Sequence, residues 1–304
     1  MSTRARTIEA DWLGASRKAA EALRDILLER PTTAERIRET GETGHGGDQT
    51  LVIDWDAETA VFDQLQLLHD EGARFTAVSE ERGNVSYTQD FPPGHPDFVP
   101  GADGAPGTGG DPGVIVIIDP IDGSMNAKRG LPHHSISIAV ADGPTMADVF
   151  FGFVYDYGPE EEWTARRGGG AFLDGVPLRT DVPHRLDRNG KLELLGIESA
   201  DPRWICEAAS DMASAAHRIR ALGTIAVTLC QVAGARLDAM CTLKGCRAVD
   251  AAAGQLIVRE AGGQVAFTKF DDPLGAPLDA EPHSALIAAR SAEALEMVRP
   301  IPKK

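Results

Sequence analysis

The sequence predicts a layered α/β fold, and three features predict it. The run Val114 to Ile118 (VIVII) is unbroken and β-branched, as in a strand buried on both faces. Stretches such as Glu9 to Leu28 carry apolar residues at helical spacing. Strand-like and helix-like segments alternate irregularly, which suits stacked layers better than a strict βαβ wheel. A chain of 304 residues can bury one large core or two modest ones, and it divides here into halves 1–187 and 188–304.

Taken in order, Trp12, Leu13, Ala19, Ala20, Leu23, Ile26 and Leu27 make one amphipathic helix, with Pro31 just past its end. A second helix is expected from Asp54 to His69, with Val61, Phe62, Leu65 and Leu68 on one face. Asp54 then lies near its N-terminus, where free N–H groups favour a carboxylate. Between the two, Gly41 to Gly47 is expected to be a mobile loop or hairpin. Arg74 to Val78 has strand character and runs into Ser79-Glu80-Glu81. Asn84 to Pro112, loaded with Pro, Gly and Asp, is expected to be an irregular excursion, either a surface loop or a lid. The VIVII strand then meets Asp119-Pro120, where proline should stop the ladder and force a turn. Alternation returns in Ser135 to Val140 and Asp148 to Tyr155. Trp163 to Leu178 reads as a hairpin region with Gly168-Gly169-Gly170 and Asp174-Gly175 at its turns. Pro202 to His217, Thr224 to Ala235 and Ala251 to Ala261 look helical, the last ended by Gly262-Gly263. Leu237 to Thr242 looks like a strand.

A net charge of −16 argues against a nucleic-acid backbone as the main partner, since such binding rests on Lys and Arg neutralising phosphates. It equally disfavours an anionic membrane surface. The acidity fits a soluble, self-repelling surface or a local set of carboxylates that holds divalent cations. Four cysteines without paired C-x-x-C spacing point to buried or semi-buried thiols rather than zinc or a disulfide framework. Met1 to Trp12 has no apolar h-region, and no apolar stretch approaches ~18 residues. A cytoplasmic location is expected by elimination.

The stretch Asp119-Pro120-Ile121-Asp122-Gly123-Ser124-Met125-Asn126 carries the chemistry. A buried strand delivers Asp119 at its C-terminal end, the edge where α/β proteins place ligands. Asp122, three residues on, can point back to the same side. Two carboxylates that close are unfavourable unless a cation lies between them or one is protonated. The N–H groups of Gly123 and Ser124 then make an anion cradle if a helical turn begins there. Without the flanking strand and the G-S-x-N segment, the same D-x-x-D would read as a capped turn. Glu80-Glu81 ends another strand and can reach the same sheet edge, or be a solvated turn. Asp250 opens the helix Ala251 to Ala261, where it is most simply an N-cap, a role compatible with metal ligation. An aspartyl-phosphate mechanism needs two Asp residues two apart, and here they are three apart. Adjacent His133-His134, on opposite faces of a strand, are expected to be structural.

Asp119 to Asn126 resembles the D-P-[IL]-D-G-[TS]-x-N signature of the inositol monophosphatase family. Val249-Asp250-Ala251-Ala252-Ala253-Gly254, followed by Glu260-Ala261-Gly262-Gly263, is similar to its second signature, W-D-x-A-A-G…E-A-G-G. Ser79-Glu80-Glu81 looks like its G-E-E element, and Gly168 to Gly175 like its G-x-G-A-f-x-N-G hairpin. The similarity runs from about Glu9 to Ser291. Departures are Val249 for Trp, Ser124 for the commoner Thr, and Ser79 where Gly is frequent; none removes a metal ligand.

The resemblance implies a layered αβαβα sandwich of the inositol monophosphatase and sugar phosphatase type. It implies that Glu80, Asp119, Asp122, Asp250 and the Ile121 carbonyl ligate two or three Mg²⁺ ions, and that Asp122, Gly123 and Ser124 meet the phosphate. It also implies that Asp54 pairs with the Ser124 hydroxyl to orient and deprotonate an attacking water, with Glu80 part of the catalytic set. Mg²⁺ takes oxygen ligands and keeps several waters, which suits carboxylates plus a substrate phosphate. Arg220 and Lys244, near segments that flank the Asp250 helix, are candidates for a second anionic or hydroxyl group; Ser199 and Glu198 are candidates for sugar hydroxyls by analogy with the family. The expected activity is Mg²⁺-dependent hydrolysis of a small polyol or sugar phosphate, inositol monophosphate or fructose 1,6-bisphosphate above all. The alternatives are a 3′-phosphoadenosine 5′-phosphate phosphatase and a catalytically silent sugar-phosphate-binding member. A homodimer is expected from the family and from the general prevalence of two-fold oligomers.

Overall fold

The structure, a computed structural model, describes residues 2–43, 49–88 and 113–303. The chain begins with helices α1 (Thr3–Ile8), α2 (Trp12–Glu29) and α3 (Thr33–Arg36). An antiparallel pair, β1 (Glu39–Thr43) and β2 (Gln49–Leu51), leads into α4 (Val52–Asp70). The hairpin alternative for Gly41 to Gly47 is therefore the one seen at residues 41–43; residues 44–48 lie outside the described part. Asp11 caps α2 by accepting from the Gly14 N–H at 2.9 Å, and the helix buries Trp12, Ala19, Ala20, Leu23 and Leu27.

Among the described residues eight strands form the first sheet. They are β3 (Thr76–Ser79), β4 (Gly83–Ser86), β5 (Ile115–Asp122), β6 (Ser135–Ala141), β7 (Val149–Asp156), β8 (Glu161–Arg166), β9 (Gly170–Leu173) and β10 (Val176–Pro177). Their order is β10-β9-β8-β7-β6-β5-β3-β4, with only the β3–β5 pair parallel. A short helix, α5 (Ser124–Arg129), joins β5 to β6. Asn84 to Ser86 belong to β4 and so do not start an irregular excursion; pairing with β3 takes them into the sheet. The rest of the expected excursion, residues 89–112, lies outside the described residues.

The second sheet has five strands: β11 (Leu192–Glu198), β12 (Ala216–Arg220), β13 (Ala239–Thr242), β14 (Gln264–Phe267) and β15 (Leu286–Ala289), ordered β12-β11-β13-β15-β14. Helices α6 (Pro202–Ala215), α7 (Ile225–Ala233), α8 (Ala248–Glu260) and α9 (Ala292–Val298) complete the chain.

Strand alternation sorts these elements into layers. Val116 and Ile118 of β5, with Ile136, Ile138 and Val140 of β6, pack under α2 and α4. Ile115, Ile117, Ala139 and Ala141 face the other way, onto α7 and α8, whose far sides meet Met240, Val265, Phe267, Leu286 and Ala288 of the second sheet. The opposite face of that sheet, with Leu195, Ile197, Cys241, Ile287 and Ala289, is covered by α6 and α9. The result is an αβαβα sandwich. Every residue of α8 from Ala248 to Val258 is buried, because the helix lies between two sheets. Its alanines bring it close: a Cβ on Gly152 of β7 would stand 2.9 Å from the Ala253 carbonyl oxygen.

One expectation about β5 is corrected. Pro120 does not stop the strand. The ladder to β6 runs from Ile115 to Asp122, but its register slips between Asp119, opposite Ser137, and Asp122, opposite Ser135. Three steps on β5 thus face two on β6, which is a bulge. It absorbs a proline that has no N–H to give. It also has a geometric effect. In a regular strand, residues three apart lie on opposite faces; the extra residue lets Asp119 and Asp122 converge.

Candidate active site

Three elements bring the acidic side chains together. Parallel β3 and β5 pair Ser79 with Ile118, so Glu80 and Asp119, the next residues along, emerge side by side at one sheet edge. The bulge turns Asp122 to the same place. From the central layer α8 adds Asp250. Carboxylate oxygens of Asp119, Asp122 and Asp250 all lie within 4.8 Å of one another, and all three residues are buried. Asp250 is not the N-cap. That position belongs to Arg247, and Asp250 stands three residues further in, accepting from the Arg247 backbone N–H at 3.2 Å.

Burial pushes the Asp119 carboxyl well up, and the nearby Glu80, Asp122 and Asp250 push it further, with Arg247 opposing. Asp122 is raised to about 8, first by burial and then by Asp250, against hydrogen bonds that favour its charged form. Those bonds come from the start of α7: Thr224 Oγ1 at 2.5 Å and the Ala226 N–H at 2.6 Å, both to Asp122 Oδ2. Buried carboxylates that raise one another's proton affinity at such range are suited to a hard divalent cation, which takes oxygen ligands and cancels the repulsion. The residues present therefore fit a metal of the Mg²⁺ type.

Glu80 joins the cluster through a cation of the chain itself. Arg247 Nη1 lies 2.5 Å from Glu80 Oε1, and Nη2 lies 3.0 Å from both Glu80 Oε2 and Asp250 Oδ1. Beneath Glu80, the Ser79 hydroxyl donates to the buried carboxylate of Glu58 on α4. That contact gives the serine in place of glycine a structural role.

Gly123 follows the bulge at φ +85°, in the left-handed region, and forms the N-cap of α5. A Cβ there would meet the carbonyl oxygens of His133 at 3.0 Å and Gly223 at 3.1 Å. Asn126 bridges the same two loops, donating from Nδ2 to the His133 and Leu222 carbonyls at 2.9 and 2.7 Å. Ser124 opens α5 and lines two clefts. One, with Asp54, Glu80, Glu81, Asp119, Ile121 and Lys128, holds about 60 Å³. Asp54 lies in the first turn of α4, with Lys128 Nζ 3.7 Å from its Oδ2. The other is a polar cleft of about 640 Å³ that runs from Glu80, Asp122, Gly123, Ser124 and Asp250 to Glu198, Ser199, Lys244 and Arg247.

The remaining sequence candidates divide. Lys244 lines the large cleft with its Nζ 5.3 Å from the Trp204 ring centroid. Ser199 lines it at φ +56°. Glu198 is buried and holds the loop opposite Ser124, accepting from the Leu222 and Gly223 N–H groups at 3.0 Å each and from Thr228 Oγ1 at 2.7 Å. Arg220 ends the exposed edge strand β12 and is not among the residues lining the cleft, which Ala221 to Ile225 line instead. Val249 points into the core between the sheets. His133 and His134 precede β6 rather than alternating along it, His133 at φ +64°. Their structural role stands. His133 Nδ1 lies 3.0 Å from Asp156 Oδ2, and the His134 ring stacks on Tyr157 at 5.7 Å between centroids. Sequence reasoning missed Thr224 and Arg247. The signals were present, as a threonine before a helix and as an R-x-x-D spacing at a helix start.

A model of the "Inositol monophosphatase family" matches residues 9–300. A fructose-1,6-bisphosphatase/inositol-1-monophosphatase of Methanothermobacter thermautotrophicus is 30% identical over 294 residues, covering 94% of this chain and 95% of that protein. Nus factor SuhB of Haemophilus influenzae is 41% identical over 161 residues, 52% of this chain and 58% of that one. A crystal structure described as an inositol monophosphatase-fructose 1,6 bisphosphatase superposes with a TM-score of 0.73 at 23% identity, covering 96% of this chain and 99% of that one. The chain belongs to the inositol monophosphatase family.

Proposed function

We propose that the chain is a Mg²⁺-dependent phosphomonoester hydrolase acting on a small polyol or sugar phosphate, inositol monophosphate or fructose 1,6-bisphosphate foremost. One observation carries the reading: carboxylates from β5 and α8, far apart in sequence, share a point within 4.8 Å beside the left-handed Gly123 that opens α5. Glu80, Asp119, Asp122, Asp250 and the Ile121 carbonyl would hold two or three ions. When bound, such ions neutralise charge on the phosphoryl group and lower the pKa of a coordinated water. The chain's own residues do the rest. The Gly123 and Ser124 N–H groups receive phosphate oxygens at the start of α5, next to Asp122. Asp54, sharing the small cleft with Ser124, accepts a proton through the Ser124 hydroxyl from the attacking water. Glu80 holds that water's position from the other wall. Lys244, Ser199 and Glu198 face the alcohol part of the ester across the large cleft. Arg220, exposed beside the rim, would meet only a substrate that extends past it.

The relatives named for both fructose bisphosphate and inositol phosphate support a cleft that tolerates more than one ester. Among the described residues the cleft's lining has no aromatic side chain for an adenine, which weighs against a phosphoadenosine substrate. Retention of all four carboxylates weighs against a silent binding protein. Among the described residues no helix is long and apolar enough to cross a membrane. A cytoplasmic homodimer, with halves 1–187 and 188–304 closing the site between them, completes the proposal. The test is phosphate release from inositol monophosphate, fructose 1,6-bisphosphate and 3′-phosphoadenosine 5′-phosphate, each with and without Mg²⁺. Hydrolysis of the first or second that Mg²⁺ switches on is the expected result; release from none of them refutes the enzyme reading.

A further inference from the structure

Away from the acidic cluster, the large cleft is enclosed by segments that leave one end of the second sheet. Strands β12, β11 and β13 lie side by side and parallel. The stretches that follow them, Ala221 to Thr224, Ser199-Ala200 and Lys244 to Cys246, therefore meet at one edge, and all line the cleft. Glu198 ends the middle strand and is 3% exposed. Its side chain holds one wall. Oε1 accepts from the Leu222 N–H at 3.0 Å and from Thr228 Oγ1 at 2.7 Å, and Oε2 accepts from the Gly223 N–H at 3.0 Å. Its main chain holds the other, since the Glu198 carbonyl accepts from the Leu243 N–H at 3.0 Å, one residue before Lys244. The first wall is largely backbone. Ala221 and Gly223 carry little or no side chain, and a Cβ on Gly223, at φ +83°, would stand 2.8 Å from Asn126 Nδ2. Asn126 fixes the same loop from the phosphate side, donating to the Leu222 carbonyl at 2.7 Å. Three donors already meet a carboxylate that has about four acceptor positions, so Glu198 has little left to offer a ligand.

From this geometry we infer that Glu198 is a positioning residue that sets the separation of the two walls around the alcohol of the ester. It acts on that alcohol through Ala221 to Thr224 and not by touching it. A wall of backbone has no long side chain to adjust to its ligand, so its placement decides which alcohols fit. The arrangement selects a compact, hydroxyl-rich ring that reaches both walls at once. A short open-chain alcohol, which leans on one wall only, gains nothing from their spacing. The inference rests on the phosphatase reading above and assigns to it the residue that governs the choice of alcohol.

The test is steady-state kinetics of wild type and Glu198→Gln in saturating Mg²⁺. The substrates are a ring ester (inositol monophosphate or fructose 1,6-bisphosphate, whichever wild type turns over faster) and glycerol 2-phosphate, with inorganic phosphate as a competitor. Burial raises the Glu198 carboxyl to about 7 against the donors that surround it, so the assays are run at a pH of about 8, where it is charged. Glutamine keeps the volume but puts an amide donor where a carboxylate oxygen accepts, so one of the three donors loses its partner. KM for the ring ester should rise about tenfold in Glu198→Gln, with kcat within about threefold of wild type. KM for glycerol 2-phosphate and the inhibition constant of inorganic phosphate should stay within about twofold, because neither spans the two walls. A ring-ester KM within about twofold of wild type would overturn the inference, and so would a rise that glycerol 2-phosphate and inorganic phosphate share. Wild type that releases phosphate from no ester would overturn the phosphatase reading itself, so the two failures are told apart. If Glu198→Gln does not fold, the same criteria apply to Thr228→Val, which removes one of the three donors and should raise the ring-ester KM about threefold.

Discussion

Removing one carboxylate from the cluster should destroy activity and yet stabilise the metal-free protein. Consider Asp119→Asn. Asp119 is 2% exposed, and its carboxylate lies within 4.8 Å of those of Asp122 and Asp250. At an effective dielectric of about 20, two unit charges at that distance repel by about 3.5 kcal/mol. Two such neighbours oppose Asp119, Glu80 adds to them, and Arg247 offsets part. Partial protonation of the cluster relieves some of the remainder. Asparagine keeps the oxygen that accepts from the Ile121 N–H at 3.0 Å, and its new amide N–H donors have the Asp122 and Asp250 carboxylates as neighbouring acceptors. The net gain in chelator should be about 1–3 kcal/mol, or roughly 2–5 °C in Tm for a chain this long. Excess Mg²⁺ should raise the wild-type Tm, by about 2.7 kcal/mol of stability at a hundred times Kd, and leave the variant nearly unmoved. Its kcat/KM should fall by a factor of about 100 or more, at least ~2.7 kcal/mol of barrier. Scanning fluorimetry in chelator and in Mg²⁺, with a phosphate-release assay, covers all three. A variant that melts below wild type in chelator would refute the electrostatic reasoning, whatever its activity.

Other changes test other parts of the site. Gly123→Ala places a Cβ at a left-handed φ and 3.0 Å from the His133 carbonyl, so it should cost about 2–4 kcal/mol in urea unfolding and disturb the phosphate cradle. Thr224→Val removes the hydroxyl that both caps α7 and donates to Asp122; an activity loss of about tenfold or more is expected, recovered in Thr224→Ser, and a loss that serine does not recover would point to packing instead. Asp250→Asn should shift the Mg²⁺ activation curve to higher concentration, and an unmoved curve would remove it from the ligand set. His134 has its pKa lowered to about 4 by burial, so the folded state holds it neutral. Its contribution is complete above the free histidine value of about 6.5 and is lost as pH falls through 4, a swing of about 3 kcal/mol that should shrink in His134→Gln when unfolding is followed at pH 7.5, 5.5 and 4.

Much of the architecture was legible because burial leaves a local signature. The VIVII run announced a strand covered on both sides, and Val116 and Ile118 do face α2 and α4 while Ile115 and Ile117 face α7 and α8. The spacing of Trp12 to Leu27 set out a helix face that is buried. Local turn chemistry also survived, in the hairpins at Gly168 to Gly170 and Asp174-Gly175. Less legible were strands such as β12, whose exposed face carries little apolar pattern, and β14, of only four residues.

The candidate carboxylates, the glycine that follows them and the family could all be read from the sequence itself, since those depend on residue identity at fixed spacing. How they meet was decided by tertiary structure. The bulge that turns Asp119 and Asp122 to one side depends on where β6 pairs, a register that no local pattern in β5 contains. Asp250 reaches them because α8 is clamped between two sheets, not because of its place in the helix. Arg247 shows the difference most directly: three residues from Asp250 in sequence, it finds Glu80, 167 positions away, only once β3 and α8 share a wall. Electrostatic partnership is a property of distance in space, and only the packed layers set that distance.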